Sequence, residues 1–364
     1  MAQLQVTVKK LNRRKSPVTD FADKRNVVDV LQENHVFESV GEITNALGKW
    51  HLDRDGFYTW EKGAWQTATE SGRLLTSFPW YIADFGIDEI WKKTKGEMVN
   101  VFVLDSGFRD LQDIKRDKFS TLSVLNSDQF GIDNVGHGTL MASIIAGNDK
   151  YVYGIAPDAN IISIKITETL EADCSDSFYK ALLLLKQSVS ENSLSIVNCS
   201  FTLPLTNSDE YNQKIQTLID SITSNSKAIF VAAVGNHSDR INKYYPANYD
   251  NVISCSGITK ESSFLRLASS NYWEGISIST PGAYNIGNLK TVFPDIFNEG
   301  TSHACAFMSG LLALKLSHSK KNNKTLNILE IKQFIKDVSV SLETPEAPPR
   351  TYQILDKAKL LLHI

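Results

Sequence analysis

A nucleophile, a base, a carboxylate and an amide donor can each be picked out of this chain by type and local sequence. Ser302 lies in EGTSHACAFMSG, where a Gly-Thr-Ser turn runs into small residues and leaves a hydroxyl at a helix N-terminus, a position that favours a developing anion. His137 stands between two glycines in GHGTLMASIIAG, at the expected start of another helix. Asp105 follows the apolar run VNVFVL and precedes Ser106 and Gly107, so a strand end would present its carboxylate to a crevice. Asn236 closes AIFVAAVGN, where its carboxamide could point into the same crevice. Such a set suits attack on a carbonyl. A serine hydroxyl is a poor nucleophile near neutral pH and needs an adjacent base whose tautomer a carboxylate holds. The tetrahedral intermediate then needs a donor for its oxyanion. Taken singly, each residue has a plainer reading: D-S-G as a turn, a lone histidine as a packed side chain, Ser302 as a helix cap.

The elements that would carry these residues alternate. Residues 99–104, 160–167, 195–200, 228–234 and 251–256 read as buried strands, with helical stretches near 138–147, 177–190 and 209–225 between them. Strand, helix and strand in succession predict an α/β fold, a three-layer sandwich whose mainly parallel central sheet is flanked by helices and whose sites form at the carboxyl ends of strands. After Ser302 come the helix CAFMSGLLALKL, a lysine-rich loop, a helix with Asn327 and Glu330 placed as a capping pair, the stretch TPEAPP, and a last amphipathic segment YQILDKAKLLL.

Composition removes several classes. With 38 Lys plus Arg against 41 Asp plus Glu, the formal net charge of -3 gives no reason to expect a nucleic-acid partner. No apolar run approaches the roughly 20 residues that would cross a bilayer, so no membrane partner is expected. Cys174, Cys199, Cys255 and Cys305 lie far apart with no C-x-x-C pair, which suits reduced thiols better than disulfides or zinc. No secretory h-region follows the start of the chain, and a cytoplasmic setting is the expectation. Neither a metal nor an organic cofactor is expected.

The order Asp105, His137, Asn236, Ser302, each in its own local sequence, resembles the serine peptidases of the subtilisin family, over nearly everything from Pro79 to the C-terminus. Supporting stretches are PWYIADFGIDEIWKKTKGEMVNVFVLDSG, YGIAPDANIISIKI, SIVNCSFTLP, YYPANYDNVISCSGI and ISTPG. The resemblance implies a serine endopeptidase acting on protein or peptide substrates, with Asp105 orienting His137, His137 taking the proton from Ser302, and Asn236 holding the oxyanion. It also implies substrate contacts at Ser200, Phe201 and Thr202 and at Ala232, Ala233, Val234 and Gly235. The acidic segment TETLEADCSD supplies a further pair, Glu171 and Asp173, read either as a solvated loop or as a recruiter of basic P2 to P4 residues. A catalytically silent peptide-binding module is the alternative. An esterase with G-x-S-x-G and the order Ser, Asp, His fits poorly, because Ser302 comes last.

The chain departs from that family's pattern at Ala306, where proline is usual, at Cys305, and at Thr202, where glycine is usual. A β-branched side chain at 202 narrows the expected S1 entrance and favours a small or extended P1 residue. The loop AGNDKYVYGIAP is short for a tight calcium site, which is expected to be absent. Residues 1–76 form an N-terminal extension ahead of a catalytic domain over 77–364. The extension is strongly charged and carries three of the six Trp in WHLDRDGFYTWEKGAW, where Asp55-Gly56 reads as a hairpin turn rather than a calcium loop. A cleaved chaperone-inhibitor, a retained decoration and a docking surface for a regulatory partner all remain open, with retention favoured.

Overall fold

The computed structural model describes residues 2–6, 10–15, 27–32, 36–45, 48–53, 58–60 and 64–68, and residues 78–364 except 127–129, 149–150, 190–193, 225–227, 261–263, 287–288 and 344–350. Two compact units result, Met1–Pro79 and Trp80–Ile364. In the first, the described strands are β1 (Ala2–Val6), β2 (Lys10–Arg14), β3 (Val27–Gln32), β4 (Val36–Asn45), β5 (Gly48–Asp53), β6 (Tyr58–Trp60) and β7 (Ala64–Ala68). They form one antiparallel sheet in the order β3-β2-β6-β5-β4-β1-β7. β5 and β6 pair antiparallel, Trp50 opposite Trp60, while the Asp55-Gly56 turn expected to join them lies outside the described residues.

The second unit is built on β8 (Asn100–Asp105), β9 (Phe119–Ser123), β10 (Asn160–Lys165), β11 (Ser195–Cys199), β12 (Ala228–Ala233), β13 (Val252–Lys260), β14 (Phe264–Arg266), β15 (Ile278–Pro281), β16 (Ser339–Glu343) and β17 (Thr351–Leu355). The order is β16-β17-β15-β13-β12-β11-β8-β10-β9, parallel throughout except for β16 against β17, with β14 antiparallel on β13. Every residue of β11 and β12 is buried, as expected of continuous apolar runs covered on both faces. Alternate side chains serve the two faces. Val197, Cys199, Phe230 and Ala232 join a core with Phe178, Leu182 and Leu185 of α4 (Ser175–Ser188) and Ile215, Ile219 and Ile222 of α5 (Asp209–Thr223). Asn198 faces the other way, onto α6 (Thr301–Lys321), where its Oδ1 accepts from Ser309 Oγ at 3.0 Å and Cys305 Sγ at 3.2 Å. α3 (His137–Ala146) packs beside α6. Helices on both faces make three layers. Short helices α1 (Trp80–Ala83) and α2 (Ile87–Ile90) open the unit, and α7 (Ile328–Asp337) and α8 (Lys357–His363) close it.

Topology places the site. From β8 the chain builds β9 and β10 on one side, then crosses to β11, β12 and β13 on the other. β8 is the switch point, and the carboxyl ends of β8, β10 and β11 open into a crevice there. α6 runs beneath them, buried almost all round. At Gly310 a Cβ would lie 2.6 Å from Ile155 Cβ, so glycine is what lets this helix approach that loop.

Two sequence expectations change. The helix that the Gly-Thr-Ser turn runs into starts at Thr301, with Gly300 as its N-cap, so Ser302 sits inside the first turn rather than capping it. The last segment is not one amphipathic stretch. Tyr352, Ile354 and Leu355 belong to β17, and Asp356 then caps α8 by accepting the Lys359 N–H at 2.8 Å. TPEAPP falls outside the described residues. The Asn327 and Glu330 pair forms its capping box, both bonds 3.0 Å.

Candidate active site

Asp105 is the last residue of β8 and is 4% exposed. Its Oδ1 accepts from the Ser106 N–H at 2.8 Å and from His137 Nδ1 at 2.7 Å. A carboxylate can only accept, so this bond places the imidazole proton on Nδ1 and leaves Nε2 as the free lone pair. The contact requires the start of α3 to come very close to the end of β8. A Cβ on Gly138 would lie 2.2 Å from Gly107 O and 3.1 Å from Asp105 Cβ, so only glycine fits after the histidine.

A second carboxylate organises that helix start. Asp133 is fully buried and accepts through Oδ1 from the Val135 and Gly136 N–H groups at 2.9 and 2.8 Å, and through Oδ2 from Thr139 N and Oγ1 at 2.9 and 2.6 Å. The Ser106 hydroxyl joins both strand and helix, donating to Asp133 Oδ1 at 3.0 Å and accepting from the Gly138 N–H at 3.0 Å. Burial alone would depress the His137 pKa, but the Asp105 charge and hydrogen bond, helped by Asp133, outweigh it and raise the imidazole above its ordinary value.

Ser302 and Asn236 lie on the same cleft. Ser302 Oγ donates to Ser200 O at 2.9 Å, and Ser200 Oγ in turn donates to Ser302 O at 3.0 Å, so strand end and helix start are cross-tied. Its hydroxyl is thus directed at Ser200, not at His137. Asn236 Oδ1 accepts the Thr301 N–H at 2.9 Å, Thr301 Oγ1 accepts the Gly235 N–H at 3.1 Å, and the exposed Asn236 Nδ2 makes no hydrogen bond among the described residues.

Asp105, His137, Asn236 and Ser302 line one cavity of about 270 Å³, with Ser200, Phe201, Thr202, Ala233 and Gly235. Ala232 and Val234 do not line it; both are buried and point into the α4 and α5 core. Neither do Glu171 and Asp173. Both are exposed, and Asp173 Oδ1 accepts the Ser175 N–H at 2.9 Å at the start of α4. The acidic segment reaches the cavity instead through Thr167, Thr169, Leu170 and Ala172. Sequence reasoning also missed His303, which follows Ser302, is buried, and donates from Nε2 to Phe297 O at 3.1 Å. Burial and then neighbouring His137 push its pKa down to about 3, so it stays neutral near pH 7 and is no second cation beside the site.

The thiols near the cavity are held protonated. Cys174 lines the cavity and Cys305 lies one helical turn beyond Ser302, yet burial lifts both thiols to about 12. Thiols that stay protonated are weak nucleophiles. All four cysteines are buried and free. Among the described residues no group of three or more His, Cys, Asp or Glu could hold a metal, and no helix is long and apolar enough to cross a membrane.

Known proteins share this arrangement of elements. A lanthipeptide protease crystal structure superposes with a TM-score of 0.63 at 17% identity, covering 78% of this chain and 93% of that one. Subtilisin DY of Bacillus licheniformis is 24% identical over 254 residues, 68% of this chain and 86% of that protein. A subtilisin-like protease of Coccidioides posadasii (strain C735) is 24% identical over 271 residues, and the match spans 72% of this chain but only 62% of that relative's length. The model of the subtilase family matches residues 85–352, and the chain belongs to that family.

Proposed function

We propose that the chain is a serine endopeptidase in which Ser302 attacks the scissile carbonyl, His137 is the base, Asp105 its orienting carboxylate and Asn236 the oxyanion donor. The observation that carries the reading is the 2.7 Å Asp105 to His137 bond on a cleft shared with Ser302 and an unpartnered carboxamide nitrogen. The reaction needs the Ser302 hydroxyl to leave Ser200 O and face His137 Nε2, a change of χ1 rotamer. Oγ then bonds the carbonyl carbon as its proton passes to Nε2. The proton next goes to the leaving amine as the C–N bond breaks, and water repeats the sequence to release the acid and restore Ser302. Asn236 Nδ2 donates to the oxyanion throughout, a contribution of about 3–4 kcal/mol to the barrier.

The substrate side is extended protein or peptide, with Thr202 at the cleft supporting a small P1 residue. The position of Glu171 and Asp173 away from the cavity argues for the solvated-loop reading over recruitment of basic residues. A silent peptide-binding module would accommodate the Ser302 hydroxyl as it stands. A fluorophosphonate probe separates the two readings: covalent labelling of the full chain, lost in Ser302→Ala, is expected. An unlabelled wild type would leave only the binding module.

The glycine after His137 gives a further expected result. Gly138→Ala forces α3 off β8 and costs roughly 1–3 kcal/mol of stability, as overpacking does. Because the imidazole is displaced, turnover of a cleavable peptide should fall about 100-fold. Thermal unfolding beside peptide hydrolysis checks both, and a variant with wild-type turnover would show that the close approach does not matter.

A further inference from the structure

The turn that carries Asn236 is gripped from outside by one side chain that the reaction scheme leaves unused. Asn271 is fully buried. Its Oδ1 accepts the N–H groups of His237 at 2.8 Å and Asp239 at 2.9 Å, and its Nδ2 donates to Val234 O at 2.8 Å. Its backbone N–H donates to Gly235 O at 2.9 Å. All four bonds fall within residues 234–239, on both sides of Asn236. Packing is so close that a Cβ on Gly235 would lie 2.5 Å from Asn271 Nδ2, and Gly235 has φ +97, a conformation that glycine alone adopts without strain. Across the turn, Thr301 holds the Gly235 N–H and Asn236 Oδ1.

We propose that Asn271 is the positioning residue of the oxyanion donor: by bracketing the 234–239 turn it sets where Asn236 Nδ2 points. Thr301 anchors one atom of the carboxamide. Ser238 ties the far end of the turn, its N–H donating to Ser269 O at 2.8 Å and its hydroxyl to Ala268 O at 3.0 Å, but the peptide groups flanking the exposed Asn236, at Val234, Gly235 and His237, are bracketed by Asn271. A preorganised donor is effective because it does not have to reorganise as charge develops. Without Asn271, the His237 and Asp239 N–H groups turn to water, since His237 is exposed and Asp239 only half-buried, and the turn relaxes outward. The donor then drifts while the cleft floor at Ser200 and Ser302 stays in place.

The inference rests on the peptidase reading, and its test has one arm that does not. In the first arm, kcat and KM are measured for Asn271→Ala, for Asn236→Ala and for the double variant, with Asn271→Ser, which keeps one hydroxyl, standing in if alanine does not fold. Expected is a fall in kcat of about 10- to 100-fold with KM within about threefold, because the interaction serves the transition state. In the Asn236→Ala background the same change should cost no more than about twofold, since nothing remains to be aimed. Losses that multiply, or that fall on KM, would overturn the proposal in favour of a merely structural asparagine. In the second arm, the side-chain amide resonances of Asn236 are followed by NMR: sharp in the wild-type chain, broadened or averaged in the Asn271 variant. Sharp, unshifted resonances in that variant overturn the positioning role whether or not any peptide is hydrolysed. Failure of the wild type to hydrolyse peptides, by contrast, removes the peptidase reading and leaves the second arm to decide the positioning.

Discussion

Ser302→Ala and His137→Ala should each lower kcat/KM for a cleaved peptide by about a million-fold, and the double variant should fall no further, because nucleophile and base act as one unit. The expectation follows from the geometry on either side of Ser302. The Ser302 hydroxyl shares the cleft with His137 and with the Asn236 carboxamide, while burial holds the nearby Cys174 and Cys305 thiols protonated. Removing that hydroxyl costs the fold little: one bond to Ser200 O is lost, worth about 1 kcal/mol, while the Ser200 Oγ to Ser302 O tie is to backbone and survives. His137→Ala leaves Asp105 with the Ser106 N–H and leaves the Asp133 cap of α3 untouched. Both variants should therefore keep the wild-type near-UV circular dichroism and unfold within a few degrees of it. Hydrolysis of a fluorogenic peptide by purified folded protein is the measurement. Turnover in Ser302→Ala comparable with the wild type would mean that the chemistry lies elsewhere. A double variant far below either single one would mean that the two residues act separately.

How much of this could be read from sequence depended on whether the signal was local. Each of the four candidate residues lies at or within three residues of a strand end or helix start, and such ends are marked by apolar runs, glycines and small residues. Asp105, His137, Asn236 and Ser302 are therefore legible as candidates from local sequence, and the structure brings the four to one cavity. Parity within a fully buried strand was not. β12 is apolar at every position, so nothing in AIFVAAVGN says which side chains turn toward the cleft; Ala233 and Gly235 do, while Ala232 and Val234 enter the opposite core. The acidic loop misled for a related reason, since charge density says nothing about direction. Glu171 and Asp173 face water, and the loop meets the cleft through Thr169 and Leu170. Asp133 holds the helix start through local bonds to residues 135, 136 and 139 and is tied to β8 only by Ser106, while Asn271 lies 35 residues beyond the carboxamide it brackets, a relation that no local pattern displays. The direction of the Ser302 hydroxyl is a rotamer choice that no sequence pattern encodes.

Asp105→Asn should lower turnover about 10 000-fold while moving the acid limb of the pH profile downward, and the combination is more diagnostic than either change alone. In the wild type, the Asp105 charge and hydrogen bond raise the His137 pKa above its ordinary value against the depressing effect of burial. The base must be neutral to accept the Ser302 proton, so kcat/KM is lost as pH falls through that raised value, and the acid limb lies above about pH 6.5, the ordinary imidazole value. With asparagine in place, burial is opposed only by Asp133, the imidazole pKa drops, and the limb shifts to lower pH. The rate nonetheless falls, because a carboxamide can present its N–H₂ to Nδ1 and so favour the tautomer that carries the proton on Nε2, where it blocks acceptance from Ser302. Chain geometry should hardly change, since asparagine matches aspartate in shape; turning its N–H₂ to Nδ1 gives up only the Ser106 N–H bond, which in the wild type falls on the same oxygen as the His137 bond. Measured pH profiles of kcat/KM for the two proteins decide the matter. A limb that stays where it was would show that Asp105 does not set the imidazole's charge, and a limb that falls with turnover preserved would show that it does not set the tautomer.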